Sequence, residues 1–163
     1  MKVEVLLLAA LLAIAPISEV RGAIPLVVAL SNSHWDLALG VIVSTLSNMV
    51  VPVVGYKLLD LLDRAVKSRL APGFVKSAYS WLLSLGRRRA GKLGKASYTA
   101  LAVFVAVPLP ATGAWTGTLI AFVLGMDRKK AITAIAAGVA GASLLVFAAS
   151  YAGLELLKRL FLL

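Results

Sequence analysis

The apolar residues of this chain fall in long blocks, and its charged residues are gathered between them. In a bilayer every backbone N–H and C=O needs an internal partner, so blocks rich in Leu, Ala and Val without strand alternation should be helices. The hydrophobic share is 61%, above the roughly 45–50% of a soluble globule. The expected class is an all-α membrane protein, and 163 residues suit a single domain, 1–163.

Several chemistries are excluded or disfavoured at once. The chain has no cysteine and one histidine, His34, so it can build neither a disulfide frame nor a His- or thiolate-based metal site. No cofactor or metal is expected. No Ser-His pairing or set of acidic ligands stands out, so no enzyme is expected either. His34 lies between Ser33 and Trp35 at the mouth of an apolar block, where an interfacial role suits it better than pH sensing. The net charge of +10 invites nucleic acid as a partner. Its basic residues flank apolar blocks, however, and anionic lipid is the better match.

The first block, Val3 to Leu30, is interrupted by Pro16-Ile17-Ser18-Glu19-Val20-Arg21-Gly22. A signal peptide would fit Lys2 and the apolar run, but Glu4 spoils the basic n-region and Arg21 would sit just before a cut after Ala23. Two short helical pieces, Val3 to Ala15 and Ala23 to Leu30, are expected instead. Neither reaches the roughly 20 residues a crossing needs, so together they make a re-entrant hairpin or a broken helix. The second block, Leu37 to Tyr56, is long enough to cross, with Trp35 and Tyr56 placed for the two interfaces. Ser44, Ser47 and Asn48 on it suit hydrogen bonds between helices, and Asn48 could also meet substrate.

From Lys57 to Lys95, ten Lys or Arg stand against Asp60 and Asp63. Leu58, Leu62, Val66 and Leu70 recur at helical spacing, as do Phe74, Ala78, Trp81, Leu82 and Leu85 beyond Pro72-Gly73. Two amphipathic helices on the membrane surface are expected, closed by a basic loop at Arg87-Arg88-Arg89 that the positive-inside rule makes cytoplasmic. The third block, Tyr98 to Met126, is broken at Pro108-Leu109-Pro110, and Asp127-Arg128-Lys129-Lys130 follows it. The last block, Ala131 to Leu154, can cross. Its Ala137, Gly138, Gly141 and Ala142 allow close helix packing, including a homodimer through small-residue faces.

Both halves follow one plan: short piece, proline-marked break, short piece, turn, full helix. Residues 1–56 form a first repeat, 57–97 a basic interfacial linker and 98–163 a second repeat. With the basic loop inside, the second hairpin starts and ends inside and the first starts and ends outside. Lys158-Arg159 then falls outside, against the charge rule. Two inverted repeats of this kind are the plan of secondary transporters.

Ionisable residues inside an apolar block point to function. Glu19 and Arg21 are therefore the leading candidates for transport and proton coupling. Glu19 can carry a proton, while Arg21 keeps its charge and presents a fork for phosphate or carboxylate; a purely structural ion pair is the alternative. The second break offers Pro108, Pro110, Thr112, Gly113, Trp115 and Thr116 as neutral lining residues, with Asn48 from the second block. The N-terminus of the following helix aims free N–H groups into the same region as a ready anion site. Gly117 suits helix packing.

On two stretches the chain resembles the small multidrug export family of prokaryotic membrane proteins. They are Pro16-Ile17-Ser18-Glu19-Val20-Arg21-Gly22-Ala23-Ile24-Pro25-Leu26 and Val107-Pro108-Leu109-Pro110-Ala111-Thr112-Gly113-Ala114-Trp115-Thr116-Gly117. The resemblance covers nearly the whole chain, with Ala111 where the family usually has glycine. That family is distantly similar to the DedA superfamily, which implies two facing re-entrant hairpins and a link to lipid movement. The resulting expectation is a multi-pass cell-membrane transporter, proton-coupled, for an anionic or amphipathic substrate such as a lipid phosphate or a drug-like molecule. The alternative is a non-transporting scaffold that binds anionic lipids or partner proteins.

Overall fold

A computed structural model describes residues 2–67, 72–91, 97–110 and 112–161, and the described residues form seven helices with no strand. These are α1 (Val3–Ile14), α2 (Glu19–Leu30), α3 (His34–Lys67), α4 (Gly73–Ala90), α5 (Tyr98–Ala106), α6 (Ala114–Val123) and α7 (Arg128–Phe161). Ala111, Arg69, Leu70, Lys92 and Lys95 lie outside the described residues.

Local chemistry sets the helix ends. Ser33 caps α3 by accepting from the Asp36 N–H at 3.1 Å, Ser97 caps α5 through the Ala100 N–H at 3.0 Å, and Asp127 caps α7 through the Lys130 N–H at 2.9 Å. Just past the end of α6, Gly125 turns the chain at φ 61°, the left-handed conformation in which glycine is least penalised.

Helix length separates the elements into two kinds. At about 1.5 Å rise per residue, the 12 residues of α1 or α2 and the 9–10 of α5 or α6 fall well short of a hydrocarbon core of about 30 Å. Only α3 and α7, among the described residues, are long and apolar enough to cross. Each short helix packs on a long one: α1 and α6 on α3, α2 and α5 on α7, with α2 also against α3. The helix after each break thus reaches the long helix of the other half. The two pairs differ, however. α1 and α2 also pack along each other as a hairpin, whereas α5 and α6 rest chiefly on α7 and α3.

Three expectations need correction. The break in the first block is only residues 15–18, and α2 starts at Glu19, so Glu19 and Arg21 belong to its first turn. The stretch from Lys57 is no separate surface helix, because α3 runs unbroken through Pro52 to Lys67; continuous helical periodicity across Tyr56 outweighs the change in polarity. Tyr56 is buried against Phe122 and beneath Arg128 instead of marking an interface. Trp35 is 86% exposed.

α4 divides its apolar stripe. Gly86 packs against Leu119 and Val123 of α6, and Tyr79 donates to Asp63 of α3 at 2.8 Å. Phe74 and Trp81 stay exposed. Arg87, Arg88 and Arg89 fall in its last turn, where cations complement the helix dipole. In α7, Gly138 and Gly141 face α5 of the same chain, where a side chain would strike Ala102, Val105 or Ala106. Gly117 likewise packs against Val105.

Candidate functional site

Two prolines mark the site from within helices. Pro25 in α2 and Pro52 in α3 have no N–H, so the carbonyls four residues earlier, those of Arg21 and Asn48, lose their helical partner. Both residues sit where α2, α3 and the start of α6 converge.

The central contact joins the two halves. Glu19 Oε2 accepts from the Ala114 N–H and Oε1 from the Trp115 N–H, each at 3.2 Å. The first internal bond of α6 runs from the Gly117 N–H to the Gly113 carbonyl, so these two N–H groups are among the donors every helix leaves free at its start. A carboxylate there also meets the positive end of the helix dipole. Glu19 is 5% exposed, which makes this pairing necessary for a charged form. It holds a left-handed φ of 49°, unlike any other described non-glycine residue, a conformation that costs about 1–3 kcal/mol.

Gly113 makes the approach possible: a Cβ there would overlap the Glu19 carboxyl group. Asn48 is 1% exposed and its amide faces the same carboxylate. Neither Asn48 Oδ1 nor Nδ2 reaches a hydrogen-bond partner.

Arg21 reaches the other break. Its Nη2 donates to Thr112 Oγ1 at 3.0 Å, and that hydroxyl lies against the Val107 and Leu109 carbonyls at 2.6 and 2.8 Å. Thr112 therefore ties the carbonyls of the turn together, and Arg21 supports it from the first half. The guanidinium Nε is buried without a partner. Arg21 acts on Glu19 through its charge, while its hydrogen bond goes to Thr112. The Trp115 indole N–H donates to the Ile14 carbonyl at 2.8 Å, tying the end of α1 to α6.

The remaining candidates separate. Pro108 and Pro110 are exposed, and Pro110 lies in an outward hollow with Thr112 and α5 residues. Thr116 and Trp115 line an apolar cavity of about 360 Å³ together with Pro16, Leu58, Leu82 and Leu85. Ser44 bonds its own helix, to the Gly40 carbonyl at 2.8 Å, and makes no bridge between helices. Sequence reasoning missed this cavity; the leucine spacing in 58–62 and 82–85 was the available signal. It also missed the Asp60–Arg128 ion pair of 2.6 Å, which links α3 to α7.

Two membrane-length helices, two pairs of short helices and a buried carboxylate where those pairs meet define a small helical membrane protein. Residues 19–145 match the family described as "putative small multi-drug export protein". The chain belongs to that family. No curated protein and no solved structure matches it.

Proposed function

We propose that this protein is a proton-coupled membrane exporter of anionic or amphipathic molecules, with Glu19 as the proton carrier and Arg21 as the anion contact. One observation carries the reading: a carboxylate buried between the two halves, held by the free N–H groups of a helix start. Protonation removes the charge that holds it there, so proton uptake and the contact between the halves are coupled. Family membership supports export, and the apolar cavity beside Trp115 supports an amphipathic cargo.

The exchanged packing, α2 on α7 and α6 on α3, supports two inverted repeats. Short helices turned back by prolines support re-entrant segments in a multi-pass protein. Arg87, Arg88 and Arg89 at the end of α4 suit anionic lipid on the cytoplasmic side of the cell membrane.

Reconstitution tests this directly. Purified protein in liposomes should move a labelled lipid phosphate or a fluorescent amphipathic drug when a proton gradient is imposed. Glu19→Gln should abolish the coupling while the protein remains folded. Transport that persists unchanged in Glu19→Gln would remove Glu19 from the mechanism.

A further inference from the structure

The start of α6 is occupied by a carboxyl group, that of Glu19, supplied by the protein itself. Three features show that the place is built for such a group and not filled by chance. Two backbone N–H groups converge on it. Gly113 leaves it the room that any side chain would take, although its own φ of −86° and ψ of −165° would suit other residues. Asn48 faces it with an amide that is 1% exposed and approaches the carboxyl group without either polar atom making a full hydrogen bond. Buried amides are seldom left so, and an unused donor aimed at an anion position is what an exchangeable ligand would leave behind. Glu19 also sits in a strained left-handed conformation, so its release relieves backbone energy.

We propose that the N-terminus of α6 is an oxyanion-binding site for which Glu19 is the built-in competitor. A carboxylate or phosphodiester group takes the place of the Glu19 side chain on the Ala114 and Trp115 N–H groups, with Asn48 Nδ2 as third donor. This rests on the transport reading only for its purpose, since the site is defined by its donors. Arg21 is the charged group acting on Glu19. Of the elements packed around it, α6 carries no charged residue and α1 only Glu4, in its first turn. α3 carries its charges at Asp36 and from Lys57 onward, and α7 carries its own near its two ends. Proton uptake by Glu19 and anion entry are therefore linked, because the proton removes the competitor.

The test uses the full-length protein in neutral detergent and two probes of constant charge. Dimethyl phosphate stands for a free oxyanion, and dihexanoyl phosphatidylglycerol for a lipid headgroup. Binding is read by titration calorimetry. Glu19→Gly tolerates the left-handed backbone and removes the competitor, so it should bind at least one probe about tenfold more tightly than the native protein near neutral pH, the gain expected when a minor competent state becomes dominant. Adding Asn48→Leu should cancel that gain. Equal affinity for both probes assigns a free oxyanion, and preference for the lipid assigns a headgroup; either supports the site. The native protein should bind more tightly as pH falls, and Gly113→Ala should not bind at any pH. This second comparison stands if Glu19→Gly does not fold. No gain in Glu19→Gly, no effect of Asn48→Leu, or native binding that ignores pH overturns the proposal. Binding without transport in liposomes would instead sink the exporter reading and leave the site standing.

Discussion

The carboxylate of Glu19 occupies the space that a side chain on Gly113 would need. Ala is conformationally acceptable at Gly113, so Gly113→Ala acts by displacement alone and leaves a buried charge without its two donors. Thermal unfolding should show a loss of about 2–4 kcal/mol, the scale of stranding a buried charge. Gly73→Ala, with open space around it, should be neutral or slightly stabilising. Equal effects at the two glycines would mean that the Glu19 contact contributes nothing.

The exchanged packing of the halves makes a topological prediction. Cysteines introduced singly at Ser33, Arg88 and Lys129 in this cysteine-free chain can be labelled from either side of a sealed vesicle. Arg88 and Lys129 should label from one side and Ser33 from the other. Labelling of Ser33 and Lys129 from the same side would defeat the inverted arrangement.

Arg128 ties α3 to α7 twice, through Asp60 at 2.6 Å and over the Tyr56 ring at 4.8 Å. Both charged partners are partly exposed, so a double-mutant cycle of Arg128→Gln with Asp60→Asn should give a coupling of only about 0.5–1 kcal/mol. The coupling should shrink at high salt. A value that salt does not change would point to a buried pair instead.

Tyr79 anchors α4 to α3, and burial together with its bond to Asp63 pushes its hydroxyl up to about 12. A phenol raised above its unfolded value binds more protons when folded. Its contribution is therefore complete below about pH 10, the ordinary tyrosine value, and is lost as pH rises through the folded value. Denaturant titrations between about pH 10 and 12 should show native stability falling, with a smaller slope in Tyr79→Phe. Identical slopes would show that Asp63 and Tyr79 are not bonded in solution.

The cavity beside Trp115 offers a steric test of cargo. Leu85→Trp should fill part of its roughly 360 Å³ and leave stability unchanged or raised by about 1 kcal/mol. Transport of a bulky amphipathic drug should fall severalfold, while proton leak through the protein stays as it was. Undiminished drug transport would place the path elsewhere.

By itself the sequence determined the helical class, the membrane-length pieces and the proline-marked breaks, and it singled out Glu19, Arg21 and the 107–117 segment, which the fold brings into contact. Those follow from short-range physics: apolar runs that must close their own hydrogen bonds, prolines that cannot donate, and charges that seldom occur in such runs. It did not place the start of α2 at Glu19, because a polar segment after a proline reads equally as loop or as first turn. Nor could it show that Tyr56 faces inward, since an aromatic ring at a block's end suits an interface as well as a core. Glu19 could equally have paired with Arg21, its neighbour two residues away. Only the tertiary structure brought the N-terminus of α6 to it across 95 residues, sent Arg21 to Thr112, and left the Asn48 amide facing the carboxylate without a partner. Those pairings depend on which helices cross near Gly113, and that is decided by packing among α2, α3 and α6, not by spacing along the chain.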